Sequence, residues 1–94
     1  MTKYTIKYTT QFKKDYKLAK RQNRNLDQLK SVIALLADGH QLPETYQDHS
    51  LIGNWKGYRE CHILPDWLLI YKQEDHVLVL TMARTGSHSE LFSK

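Results

Sequence analysis

Apolar and polar positions alternate across residues 3–9, with Tyr4, Ile6 and Tyr8 to one side and Lys3, Thr5, Lys7 and Thr9 to the other. That is the two-residue period of a half-buried strand. From Gln11 to Gln22 the period lengthens: Phe12, Tyr16 and Ala19 recur at helical spacing, with Thr9 or Thr10 ahead of them as a cap. Asn25 is placed to cap a second helix, with Gln28 three residues on, and Leu26, Leu29, Val32, Ile33 and Leu36 give that helix a broad apolar face before Gly39 ends it. Residues 40–54 contain Pro43 and Gly53 and keep no period, so they read as a long connecting loop. Strand-like runs follow at residues 55–64, 67–73 and 77–84, joined by Pro65-Asp66 and by a turn near Glu74-Asp75-His76. Ser87 or Ser89 can open a short helical turn that tucks Leu91 and Phe92 against the rest. The predicted fold is α+β in the order β-α-α-β-β-β, a small antiparallel sheet packed against a helical hairpin.

A chain of 94 residues supports one small core, so residues 1–94 are expected to form a single domain. The longest apolar run, residues 32–37, has six residues, against the ~20 that span a bilayer. The opening "MTKYTIKYTT" lacks the apolar core of a signal peptide, and Cys61, standing alone, cannot form an intramolecular disulfide. A cytoplasmic protein with no membrane partner is expected. The net charge is +4, but residues 1–24 carry eight Lys or Arg against one acid, Asp15. Helical geometry gathers Lys13, Lys17, Lys20 and Arg24 beside the apolar stripe, which suits a polyanion such as nucleic acid or an acidic protein. A solvated helix face would read the same way.

The chemistry-bearing residues lie at the ends of the predicted strands. His49 is in the loop, His62 near the end of one strand, Asp66 in the turn after it and His88 beyond the last strand. Each alone would suit a structural position; together they can meet at one edge of a meander. A metal site is disfavoured because Pro65 interrupts the helix that His62 and Asp66 would need as ligands four residues apart. Cys61 should face away from His62, into the core. Metal-free RNA cleavage uses all the pieces, since it needs a base for the 2′-hydroxyl, an acid for the departing 5′-oxygen and a cation for the phosphate. Histidines can fill the first two roles, with Asp66 tuning one of them; Arg84 could hold the phosphate, and Trp67 and Phe92 could stack on bases.

With those residues laid out, "DHSLIGNWKGYRECHILPDWLLIYK" at residues 48–72 and "RTGSHSELF" at residues 84–92 resemble the YafQ branch of the RelE/ParE toxin superfamily, the messenger-cleaving toxins of type II toxin–antitoxin pairs. The resemblance spans almost the whole chain. It implies a RelE-like (microbial RNase-like) fold, catalytic positions at His49, His62, Asp66 and His88, and substrate-binding positions at Trp67, Arg84 and Phe92. It also implies cleavage at the ribosome's decoding site to a 2′,3′-cyclic phosphate and a 5′-hydroxyl, with no metal or other cofactor. Ribosomal RNA would then be the polyanion met by Lys13, Lys17, Lys20 and Arg24. A DinJ- or RelB-like antitoxin with a ribbon-helix-helix portion is implied as partner, and operator DNA would be contacted only through it. Among the roles, His49 as base and His88 as acid, with His62 and Asp66 supporting, is the starting assignment, open to exchange. Two alternatives differ in outcome: a gyrase-binding toxin of the same superfamily, which would leave RNA uncut, and a module that binds RNA without cleaving it.

Overall fold

Thr9 places its side-chain oxygen on the backbone N–H of Phe12 and opens the first helix of the computed structural model, which describes residues 2–92. The chain runs β1 (Thr5–Tyr8), α1 (Thr10–Arg21), α2 (Leu26–Ala37), β2 (His49–Ser50), β3 (Arg59–Leu64), β4 (Trp67–Glu74), β5 (Val79–Gly86) and α3 (His88–Phe92). Asn25 caps α2 by accepting from the N–H groups of Asp27 and Gln28, and Gly39, at φ +82°, takes the left-handed turn just beyond the helix.

The five strands form one sheet in the order β1-β5-β4-β3-β2. The expected meander β3-β4-β5 is antiparallel throughout. The first strand departs from expectation: β1 lies parallel to β5, which makes the sheet mixed. The connection from β1 to its parallel neighbour β5 runs through the helical hairpin and then β2, β3 and β4. Ile6 is half-buried and Tyr8 is exposed, stacking on Phe12 at 5.5 Å, so only Tyr4 of the three alternating residues is fully buried. Residues 40–54 are also more ordered than expected. They contain two 3-10 turns, Glu44–Tyr46 and Gly53–Trp55, and between them the two residues of β2 pair with Arg59 and Glu60 of β3. Two-residue pairing leaves no alternation for a sequence pattern to reveal.

The sheet sorts side chains strictly by face. Cys61, Ile63, Trp67, Leu69, Tyr71, Leu80 and Met82 pack with Phe12 and Ala19 of α1 and Leu29, Val32, Ile33 and Leu36 of α2 in the main core. On the other face Leu68, Ile70, Ala83 and Leu91 form a second, smaller cluster, flanked by Leu51, Trp55 and Tyr58. Leu91 is where α3 fastens to that face, while Phe92 remains 40% exposed rather than tucked in. One face of the sheet is therefore covered by two helices, and the other is largely open.

Candidate active site

The open face begins with β3, where alternation sends Cys61 and Ile63 into the main core and turns Glu60 and His62 the opposite way. Glu60 pairs in register with Ile70 and His62 with Leu68, both members of the smaller cluster. The register then slips between His62 and Leu64, and Pro65-Asp66 closes the hairpin so that Leu64 meets Trp67. The polar bend at residues 59–72 is thus a platform: Asp66 stands at its tip with His62 behind it.

Two other elements deliver their residues to this platform. β2 pairs His49 with Glu60, across the strand from the middle of β3. α3 begins beyond β5, where Ser87 and Glu90 form a capping box: the Ser87 N–H donates to Glu90 Oε1 at 2.8 Å and the Glu90 N–H donates to Ser87 Oγ at 3.2 Å. His88 is the first helical residue, and both its backbone N–H and its ring Nδ1 donate to one oxygen of Asp66, at 2.9 and 2.6 Å. These bonds hold the Asp66 carboxyl below the usual carboxylate range, the backbone donor contributing most.

The result is a row of imidazoles. The His62 ring lies 6.4 Å from that of His49 and 5.6 Å from that of His88, centroid to centroid. In all three, Nδ1 faces a group that can only accept: the Gln47 carbonyl for His49 at 2.7 Å, the Pro65 carbonyl for His62 at 3.3 Å, and ionised Asp66 for His88. A proton on Nδ1 satisfies each of these acceptors. On His49 and His62 the other ring nitrogen, Nε2, lies 3.4 and 3.7 Å from a single atom, Oε1 of Glu60.

Glu60 is the residue that sequence reasoning missed. Its side chain is only 7% exposed, beneath the half-exposed His49 and the largely covered His62. The signal was available: a glutamate two residues before His62 in a strand shares its face, and a carboxylate amid "RECHIL" has no reason to be buried unless cationic or hydrogen-bonding partners await it.

Other expected positions fall differently. Trp67 is fully buried in the main core, so it offers no free face to a base, and the substrate-stacking expectation for it is corrected. Its register position explains this: β4 turns Trp67, Leu69 and Tyr71 toward the helices. Arg24 lies outside α1, since the helix ends at Arg21 and Asn23 adopts φ +58°, so it leaves the lysine stripe. Its guanidinium instead lies 5.3 Å from the Trp67 ring and reaches to 3.9 Å from Glu90, on the α3 side of the molecule. Lys13, Lys17 and Lys20 are exposed on α1, as expected. Arg84 is tied down rather than free: its Nε and Nη2 donate to the two oxygens of Asp15 at 2.8 and 3.1 Å. Asp15, the lone acid of the basic segment, is itself buried and also receives the Thr85 N–H at 3.2 Å. Nη1 of Arg84 carries no hydrogen bond among the described residues. Phe92 keeps an exposed ring at the end of α3.

The chain as a whole matches a known set of proteins. The family model for the bacterial toxin of type II toxin–antitoxin systems, YafQ, matches residues 4–93. The chain belongs to the YafQ family. The mRNA interferase toxin YafQ of Escherichia coli K12 is 44% identical over 93 residues, covering 98% of this chain and 99% of its relative. Among solved structures, the E. coli DinJ-YafQ toxin-antitoxin complex superposes with a TM-score of 0.88 at 44% identity, covering 96% of this chain and 98% of the other. A metal-bound toxin from Helicobacter pylori superposes with a TM-score of 0.88 at 40% identity, covering 98% and 100%. In the YafQ-family chain described here, no group of three or more His, Cys, Asp or Glu side chains among the described residues has the geometry to hold a metal ion.

Proposed function

We propose that this chain is an mRNA interferase, an endoribonuclease that cuts translated messenger RNA on the ribosome and is neutralised by a DinJ-type antitoxin. The observation that carries the reading is the row of three imidazoles, with Glu60 facing Nε2 of His49 and His62 and Asp66 holding Nδ1 of His88. In-line cleavage needs a proton acceptor and a proton donor on opposite sides of a phosphate, and neutral and charged imidazoles supply them near neutral pH.

In this reading the 2′-oxygen of the RNA attacks the adjacent phosphorus while its proton passes to Nε2 of His49. The bond from phosphorus to the 5′-oxygen breaks, and that oxygen takes a proton from Nε2 of His88. The products are a 2′,3′-cyclic phosphate and a 5′-hydroxyl. Glu60 supports the positive charge that His49 acquires, and Asp66 fixes the tautomer of His88 and supports its charged form. His62, between them, would contact a non-bridging phosphate oxygen. Nη1 of Arg84 is the further cation, and Phe92 is the exposed ring for a base. Lys13, Lys17 and Lys20 provide the sequence-independent hold on ribosomal RNA. The antitoxin carries any contact with operator DNA. No helix among the described residues is long and apolar enough to cross a membrane, which is consistent with work on ribosomes in the cytoplasm.

The acid and base assignment is tested by pH–rate profiles for wild type, His49→Ala and His88→Ala. A bell-shaped wild-type profile is expected, with the acidic limb abolished in His49→Ala and the alkaline limb in His88→Ala. The opposite pairing would exchange the two roles, and unchanged limbs in both variants would remove these histidines from the reaction.

A further inference from the structure

His49 reaches the site from the least secure element of the sheet. β2 is two residues long, both exposed, and it follows Gln47, whose backbone takes the left-handed conformation at φ +49°. Its neighbour Asp48 is different. The Asp48 carboxylate accepts from the Tyr71 hydroxyl at 2.7 Å and from Arg59 Nε at 3.3 Å. Arg59 in turn donates from Nη1 to Ser50 Oγ at 2.8 Å. Tyr71 and Arg59 are register partners on β4 and β3, and Tyr71 is fully buried in the main core. Asp48 and Ser50, on either side of His49, are thus both tied to the body of the sheet.

Alternation along the strand gives this arrangement its direction. Asp48 is drawn to the face where Tyr71 packs with the helices, so His49 is turned to the opposite face, against Glu60. We infer that Asp48, held by Tyr71 and Arg59, is a positioning residue that sets the place of His49 in the imidazole row. The inference rests on the nuclease reading for its catalytic consequence, although the brace itself is a matter of geometry. Burial and the neighbouring Asp48 push the Tyr71 phenol up, so it stays a donor at every physiological pH. The brace does not switch off in that range. A loose His49 would meet the 2′-hydroxyl in fewer encounters, and displacement of a reacting group by an ångström lowers a rate by up to about 100-fold.

Tyr71→Phe is the direct test, because it removes one hydroxyl and keeps the buried ring; Asp48→Asn, which keeps an acceptor, is the second variant. Single-turnover RNA cleavage on translating ribosomes should slow by roughly 10–100-fold in Tyr71→Phe with little change in KM. In a His49→Ala background the same change should have no further effect, since a brace that acts through His49 has nothing left to position. Carbon-13 relaxation of the imidazole rings in the free protein should show His49 mobilised and His62 and His88 unchanged. An unaltered rate and an unaltered His49 ring in Tyr71→Phe would overturn the inference. So would an equal slowing in the His49→Ala background, or loosening of all three rings together. If wild type cuts no RNA, the nuclease reading fails, and the ring relaxation still decides whether the brace holds His49.

Discussion

One oxygen of Asp66 holds both the backbone and the ring of His88, and that economy shows how the site works at the scale of residues. An ionised carboxylate can only accept, so Asp66 favours the proton on Nδ1 of His88, and in the proposed reaction Nε2 is the atom that acts. Sequence reading located His49, His62, Asp66 and His88 because each falls at the end of an element, where strand ends in a meander converge. It missed Glu60 although His62, two residues on, shares its face, and it missed the role of Asp15 because a buried carboxylate is recognisable only with its partners, which for Asp15 lie far off in the chain. Asp15 meets Arg84 from sixty-nine residues away. Trp67 went the other way, since a tryptophan beside a polar turn looks like a platform until its register shows which face it takes. Its indole Nε1 is buried with no hydrogen-bond partner among the described residues, an arrangement that costs about 1–3 kcal/mol. Trp67→Ala should therefore lose about 3–5 kcal/mol of stability, as for other large core truncations, while Trp67→Phe loses far less because it also removes the unpaired donor. Denaturant titration measures both. A large rise in the KM for RNA in folded Trp67→Phe, with stability intact, would return Trp67 to the substrate.

At the scale of elements, α3 carries His88 and Phe92 yet has only five residues, too few to hold itself together. Its order comes from outside: the Ser87–Glu90 capping box, Leu91 in the smaller cluster, and Gln22, which donates to Glu90 Oε2 at 3.0 Å from beyond the end of α1. Gly86 has a role here, because a Cβ at that position would come within 2.9 Å of Glu90 Oε1. Two carboxylates pin the element, and both are held below the usual range: Asp66 chiefly by the His88 N–H, and Glu90 chiefly by the Ser87 N–H. A depressed carboxylate adds stability above its unfolded value, about 4, and that stability is lost as pH falls through the lower folded value. The helix should thus remain docked from neutral pH to about pH 5 and release in more acidic solution, ahead of the sheet. Amide exchange of residues 88–92, compared with that of β4 as pH is lowered, measures it. Simultaneous loss of α3 and β4 protection would show that these two carboxylates do not control the tail. The serine cap was legible in the sequence, but the Glu90 contacts that complete it were not, because Gln22 and Arg24 come from the turn between α1 and α2.

Across the whole molecule, the two faces of the sheet divide the work. One face is filled by the helical hairpin and supplies most of the core, which leaves the other free to present a row of ionisable groups around a small apolar cluster. The alternation of β3 serves both faces at once, with Cys61 and Ile63 inward and Glu60 and His62 outward. Hydrophobic periodicity made α1, α2 and the meander readable, since each buries a stripe against the same core. The parallel pairing of β1 with β5 was not readable, because the pattern of a half-buried edge strand records its burial and not the direction of its neighbour. The two-residue β2 was hidden for the same reason of length, although it brings His49 to the site. The central claim is that the outward row cuts RNA. Its most direct test is to map new RNA 5′ ends in bacteria that express the wild-type chain or His88→Ala at matched levels of folded protein. The account predicts 5′-hydroxyl ends within translated messages and arrested growth for wild type, and neither for His88→Ala. Arrested growth without new ends, or equal cutting by the variant, would contradict it.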